Sequence, residues 1–270
     1  MEDVDMRVFV MHGPQSAQAR WLPPGVRPLP GLEDRWLLVT AFYPKVYSLH
    51  PGRHAQPVSY AETAPYLPCL LPDGSPALFC LEAYPDNYMA IFLGRELYGF
   101  PRRFGLTTRS ERHVDLNVDN RLILRAGWER ATPSTDPGAD IAAVFADDDG
   151  VMAPVASFIQ AMTGLLTKQW PIGKGPALPI LVRNQVPDVQ RSDGDRLRID
   201  ELISLPVRVS EVSNVQRLEA PYVRRFAHDW MVGGRCVGAF RMRTTMTFGQ
   251  SERERNYLDG EKRAKLRLAL

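Results

Sequence analysis

Asp119-Asn120 stands between two runs of strand length, His113 to Val118 and Arg121 to Trp128. Such a pair is a usual two-residue hairpin turn, so the stretch predicts a β-hairpin. The same rhythm recurs along the chain. Strand-like runs lie at Trp36 to Tyr43, Val58 to Glu62, Ala77 to Ala83, Met89 to Leu93, Leu178 to Val182, Val207 to Val215 and Cys236 to Phe248. Turn signals separate them, among them Pro28-Leu29-Pro30-Gly31 and Pro85-Asp86-Asn87, where fixed φ or side-chain-to-backbone bonds favour a bend. Residues 1 to 34 read as loop-rich, Arg53 to Ala55 as a loop, and Thr132 to Asp140 as a linker. Helices are expected in two places. Val151, Val155, Phe158, Ile159 and Met162 share one helical face, and the charged tail from Ser251 to Leu270 opens with a capping-like Ser251-Glu252-Arg253-Glu254, with Gly260 as a weak point. The expectation is one mainly β domain over residues 1–270, a barrel or a sandwich.

Composition narrows the function classes. Hydrophobic residues at 44% and charged residues at 24% are ordinary for a soluble globular chain, and a net charge of +2 gives no reason to expect nucleic acid as a partner. No apolar run approaches the ~20 residues of a membrane helix, so no membrane association is expected. Met1 to Val10 is acidic and lacks the apolar core of a secretion signal. With three cysteines at no metal-type spacing, this points to reduced thiols in the cytoplasm. His50 and His54 are four apart, but Pro51-Gly52 between them breaks a helix, and Asp147-Asp148-Asp149-Gly150 lacks the spaced ligands of a calcium loop. No metal and no cofactor are expected.

The chemistry concentrates in Tyr84 to Gly105, YPDNYMAIFLGRELYGFPRRFG. An apolar run read as a strand enters an aromatic, glycine- and proline-rich loop ending on Arg102-Arg103. Two readings fit: the wall of a site, or an edge strand and a surface loop with solvated arginines. Upstream, Val58, Tyr60 and Glu62 share one face of a strand. Glu62 is either turned to solvent or turned inward and paired, since an unpaired inward carboxylate is costly. Adjacent strand residues point oppositely, so at most one of Arg95 and Glu96 faces inward. Arg95 is then structural, and Glu96 the better pocket acid.

These residues resemble the acetoacetate decarboxylases. Asp86-Asn87, Ala90-Ile91, Gly94-Arg95-Glu96 and Pro101 with its two cations match the family's DN-x-x-AIxxGRE followed by PKK. Tyr60-Ala61-Glu62 is similar to the family's Tyr-x-Glu, whose glutamate is an active-site carboxylate. Leu166-Thr167-Lys168-Gln169-Trp170-Pro171 is similar to its LKxxP strand, and Glu201 to Val212 to a later one. Residues 20 to 225 or so can be laid along the family. The resemblance implies a closed antiparallel β-barrel enclosing a pocket, with extra helices in the contacts of a homo-oligomer. It also implies a small oxo-acid or keto substrate.

One departure matters more. The family forms a Schiff base through the first lysine of PKK, and acetoacetate decarboxylase is itself the standing example of a lysine activated by a neighbouring cation. Here that position is Arg102, and a guanidinium stays protonated and has no free amine to attack a ketone. Either the pocket works differently or the chemistry is lost. In the first case Glu62 moves the proton, Arg102 and Arg103 hold a carboxylate or oxyanion, and Tyr60, Arg95, Glu96, Tyr98 and Lys168 contact the substrate through an enolate-type intermediate. In the second the chain is an oxo-acid binding protein without catalysis. Lys168, if it enters the pocket from another wall, restores an amine; an outward strand lysine does not. A pocket plugged by Trp36, Trp128 or Trp170 favours the non-catalytic role.

Overall fold

The computed structural model describes residues 1–13, 20–47, 57–71, 73–145, 177–187, 197–226, 234–248 and 252–256. In chain order its elements are β1 (Val4–His12), β2 (Arg27–Pro28), β3 (Arg35–Val46), β4 (Val58–Leu70), β5 (Pro76–Cys80), β6 (Tyr84–Pro85), α1 (Tyr88–Tyr98), β7 (Leu106–Arg109), β8 (His113–Val118), β9 (Arg121–Gly127), β10 (Arg130–Pro133), α2 (Pro137–Phe145), β11 (Ala177–Pro187), β12 (Leu197–Glu219), β13 (Tyr222–Arg225), β14 (Arg235–Phe248) and β15 (Glu252–Asn256). The chain is thus mainly β with two helices among the described residues.

Strand pairing returns on itself. It runs β12-β11-β5-β4-β3-β1-β14, and β14 pairs again with β12. Every junction is antiparallel except one: β11 meets β5 in parallel, Ile180 opposite Leu78. The all-antiparallel arrangement expected from the resemblance therefore fails at that junction. β2 and β6 add to β4, and β10 and β15 add to β12. A second sheet, β13-β9-β8-β7, lies apart from this ring. Its centre is the expected hairpin: Val118 pairs with Arg121, and Asp119 and Asn120 hold φ of 51° and 61°, the left-handed pair that matches strand twist in a tight hairpin.

Alternation along the strands divides the apolar residues into two cores. Val8 and Val10 of β1, Leu37, Ala41 and Tyr43 of β3, and Tyr60, Ala64 and Tyr66 of β4 join residues from β5, β11, β12 and β14 in one cluster. No residue of the second sheet enters this cluster, so it lies on the face of the ring turned away from that sheet, the inner face. The opposite side chains, Phe9, Met11, Trp36, Leu38, Leu67 and Phe79, pack instead with Val114, Leu116, Leu124 and Trp128 of the second sheet and its flank. Each fully enclosed side chain such as Phe9 or Leu38 contributes about 1.5–3 kcal/mol.

Four local expectations are corrected. Val4–His12 is a nine-residue strand in the ring, not loop; its alternation is disguised because Asp5 and Arg7 occupy a buried face. Met89 to Leu93 is not a strand but part of α1, capped by Asn87 and closed by Gly99 at φ 68°. Thr132 to Asp140 contains the end of β10 and the start of α2, where the Asp136 carboxylate accepts the Ala139 N–H at 3.0 Å and Pro137 occupies the first turn. In the tail, Glu252–Asn256 is a strand on β12 rather than helix. The helix expected from Val151, Lys168 with its strand, Trp170, His50, His54, Arg53 to Ala55, Asp147 to Gly150 and residues 257–270 lie outside the described residues. No helix among the described residues is long and apolar enough to cross a membrane.

Candidate active site

Two connections bring Glu62 and Arg102 together. The first is the register of β4 on β3, which sets Tyr60 opposite Tyr43 and Glu62 opposite Ala41, all on the inner face. The Tyr43 and Tyr60 rings lie 4.6 Å apart between centroids. The second is Asp86-Asn87. Asp86 exchanges hydrogen bonds with the Ala61 main chain, accepting its N–H at 2.7 Å on Oδ1 and donating its own N–H to the Ala61 carbonyl at 3.0 Å. Asn87 donates to the Ser59 carbonyl at 3.3 Å, while its Oδ1 accepts the N–H groups of Met89 and Ala90 at 2.8 and 3.3 Å. One dipeptide thus anchors the loop to β4 beside Glu62 and starts α1.

The far end of α1 turns the chain back. Gly99, left-handed, donates to the Arg95 carbonyl at 3.0 Å, and Phe100 donates to that of Gly94 at 3.1 Å, a glycine-closed helix end. Ala83 then accepts Arg103 N–H and donates to the Pro101 carbonyl, each at 3.0 Å, which fixes extended backbone through Arg102. Neighbours in such a backbone point oppositely. Arg102 goes inward and is buried; Arg103 goes outward, half-exposed, and pairs with Asp119 of the hairpin turn. Only one of the two expected cations therefore joins the inner cluster.

The Arg102 guanidinium lies between Glu62 and α1. Nη2 stands 2.9 Å from Glu62 Oε2, and Nη1 donates to the Ala90 carbonyl. Its Cζ is 5.0 Å from the Phe100 ring centroid and 6.0 Å from that of Tyr60. Gly94 makes room for it: a Cβ there would fall 2.1 Å from Nη1. Ala90 and Gly94, one helical turn apart, form a small-residue face for the cation. The ion pair is close but not directed as a hydrogen bond, so Glu62 Oε2 and Arg102 Nε have no hydrogen-bond partner among the described residues. A buried acceptor and a buried donor side by side are equipped to meet a polar ligand.

Burial pushes the Glu62 carboxyl above its ordinary range; the Arg102 charge pulls it back only partly, and Asp86 adds to the rise. Burial alone would lower Arg102, but Glu62 and then the three tyrosines outweigh it, so the cation is held charged. Burial raises Tyr60 and Tyr43, with Glu62 second, and raises Tyr66, with Cys80 and then Glu62 following. Cys80 is raised by burial first and Glu62 second. Glu62 is thus a carboxyl raised above its ordinary range beside a fixed positive charge and raised phenols.

Of the residues singled out in the sequence, Tyr60, Glu62 and Arg102 converge. Arg95 lies exposed on α1, and the strand alternation expected to set it opposite Glu96 does not occur because both stand on a helix. The side chains of Glu96 and Tyr98, like Lys168, lie outside what is described. Trp36 and Trp128 belong to the core between the sheets and do not fill the space around Glu62. Sequence reasoning missed Tyr43, Tyr66, Cys80 and the Ala90/Gly94 face. The small pair four residues apart was the readable signal for the last.

No protein-family profile and no curated protein sequence matches the chain. Solved structures do match. An acetoacetate decarboxylase from Legionella pneumophila subsp. pneumophila str. Philadelphia 1 aligns with TM-score 0.68 at 14% identity, covering 95% of this chain and 87% of its own. The enduracididine biosynthesis enzyme MppR, complexed with pyruvate, aligns with TM-score 0.63 at 17% identity, over 94% and 90%. An acetoacetate decarboxylase-like enzyme from Sphingomonas wittichii RW1 gives 0.62 at 14%, over 93% and 90%. The chain has the acetoacetate decarboxylase-like fold.

Proposed function

We propose that this chain of acetoacetate decarboxylase-like fold is an enzyme that transforms an oxo-acid or β-keto compound through an enolate-type intermediate, with no Schiff base at position 102. The observation that carries this is the buried Arg102–Glu62 ion pair, in which Arg102 Nε has no partner among the described residues and Glu62 Oε2 is held by the ion pair without a directed hydrogen bond. In this reading the ring is a closed barrel that holds the substrate on its inner face. The guanidinium stabilises negative charge as it develops on the substrate's carbonyl oxygen, the place where a fixed donor in a dry site acts most strongly. For a β-keto acid the bond to the carboxylate breaks, its electron pair moves into the enolate, and carbon dioxide leaves. Glu62, protonated beyond the ordinary carboxyl range, delivers a proton to the carbon. The same enolate serves dehydration, retro-aldol cleavage, isomerisation or cyclisation. A complex of MppR with the condensation product of pyruvate and imidazole 4-carboxaldehyde supports 2-oxo acids as the first class to try.

Two further parts of the proposal rest on separate features. Tyr88, Met89 and Phe92 lie exposed on α1, with Phe104 stacked on Tyr88 at 4.8 Å, an apolar surface suited to a second copy in a homo-oligomer. Three free thiols accord with a reducing compartment, the cytoplasm.

The test is a panel of acetoacetate, pyruvate and larger 2-oxo and 3-oxo acids, followed for product release and then treated with borohydride. We expect turnover of at least one member and no reduced adduct on the protein. An adduct on Lys168 would return the chemistry to a Schiff base from another wall. Binding without turnover across the panel would leave an oxo-acid binding protein.

A further inference from the structure

A second ionic cluster lies on the other face of the ring, beneath the end of β7. Asp5 of β1 accepts from three arginines. Its Oδ1 takes Arg241 Nε at 3.0 Å; its Oδ2 takes Arg7 Nη2 at 3.1 Å, Arg109 Nη1 at 3.1 Å and Arg241 Nη2 at 3.2 Å. Three cations thus meet one carboxylate. Arg109 also acts on the Asp86 carboxyl, which is committed to the Ala61 main chain.

Arg7 is the deepest of the three, 4% exposed, and its Nε and Nη1 have no hydrogen-bond partner. Thr40, directly opposite Arg7 on β3 and therefore on the same face, is 2% exposed and its hydroxyl is also unpartnered. Buried polar groups in folded proteins almost always have partners, and those that lack one call for an ion or a water. Here charge separates the two. Burial pushes the Arg7 guanidinium down, and the positive charges of Arg241 and Arg109 add to that push against the pull of Asp5. A neutral water answers the unpartnered donors but leaves this excess; an anion answers both.

We propose that Arg7 and Thr40, backed by Arg109 and Arg241, form a binding site for a small inorganic monoanion of the halide class. Depth selects for size, because aromatic rings close over the donors, with Arg7 Cζ 5.6 Å from the ring centroid of Trp128, just past β9, and Arg109 Cζ 4.0 Å from that of Phe42 on β3. The bound anion braces β7, which leads directly out of the Arg102 loop, against β1.

The experiment is thermal unfolding of the full chain at fixed ionic strength, with chloride or bromide replacing gluconate. A ligand that binds only the folded state raises the midpoint along a saturating curve. We expect a rise of roughly 3 °C that saturates in the halide concentration, lost in Arg7→Met. Should Arg7→Met fail to fold, Thr40→Val, which keeps shape and removes one donor, is expected to shift the curve to several-fold higher halide. Bromide-soaked crystals should show anomalous scattering within hydrogen-bond distance of Arg7 and Thr40. A midpoint indifferent to the anion, a rise that survives both substitutions, or water without bromide at that position overturns the proposal.

Discussion

Arg102 and Arg7 are both more than nine-tenths buried, both keep an unpartnered Nε, and both face a carboxylate, yet they sit in opposite situations. Arg102 faces Glu62 one to one on the inner face of the ring, and there the carboxyl is the group whose protonation is unsettled. Arg7 shares Asp5 with Arg109 and Arg241 on the outer face. Although burial pushes Asp5 up, the hydrogen bond from Arg241 and the three cations bring it below the ordinary range. The ratio of cations to carboxylates decides what a buried pair can do. A balanced pair whose acid is raised can carry a proton; an acid held down by three cations stays ionised and only binds.

Five substitutions probe this contrast, beginning with the largest expected effect. Glu62→Gln keeps volume and removes the proton carrier, so turnover should fall by about 10²–10⁴-fold with binding nearly unchanged. Because the Glu62 pKa is raised, wild-type turnover should decline as pH rises through a value above the ordinary carboxyl range, and the variant's residual rate should lack that limb. Second, Arg102→Ala should weaken keto-acid binding by roughly ten- to a hundredfold, measured by calorimetry, at ~1.5–3 kcal/mol per charge-assisted contact. Without the cation, Glu62 is raised further. A carboxyl raised in the folded state contributes stability fully present below its unfolded pKa and lost as pH rises through the folded one, so this variant's deficit in urea melts should grow with pH. Arg7→Met should show a nearly flat deficit above the carboxyl range at fixed anion, since two arginines still hold Asp5 ionised. Third, Gly94→Ala ordinarily favours a helix by ~1 kcal/mol. Here the Cβ meets Arg102, so we expect destabilisation of roughly 1–3 kcal/mol and weaker binding. Last, Arg103→Ala breaks only a surface bridge to Asp119, and both activity and stability should stay within about 0.5 kcal/mol of wild type. A large effect at Arg103 would erase the one-to-one account of the inner site.

The legible parts of the sequence were those with a local signature. Asp119-Asn120 specified its hairpin because a two-residue turn needs left-handed residues, and the shared face of Tyr60 and Glu62 followed from period two. Tyr88 to Leu93 misled because a continuous apolar run has no period. The deciding signals lay at its ends, Asn87 as cap and Gly99 as left-handed stop, spaced for a helix. In β1 the outward face carries Asp5 and Arg7, which look solvated until the second sheet covers them. That Arg102 and Arg103 diverge depends on Ala83 pinning the backbone between them, a pairing across sequence that no local pattern announces.

The seam between β1 and β14 joins the two ends of the described chain: Asp5 and Arg241, which share hydrogen bonds, are 236 residues apart. A contact at that separation closes late, because loop entropy must be overcome before the pairing contributes anything, and folds dominated by such contacts form over milliseconds to seconds. Until β14 arrives, β1 presents a bare row of amide and carbonyl groups along one side, and other unfinished chains are its readiest partners. Yield on refolding should therefore fall as protein concentration rises, while the hairpin at Asp119-Asn120, needing only its neighbours, forms early and at a rate indifferent to concentration.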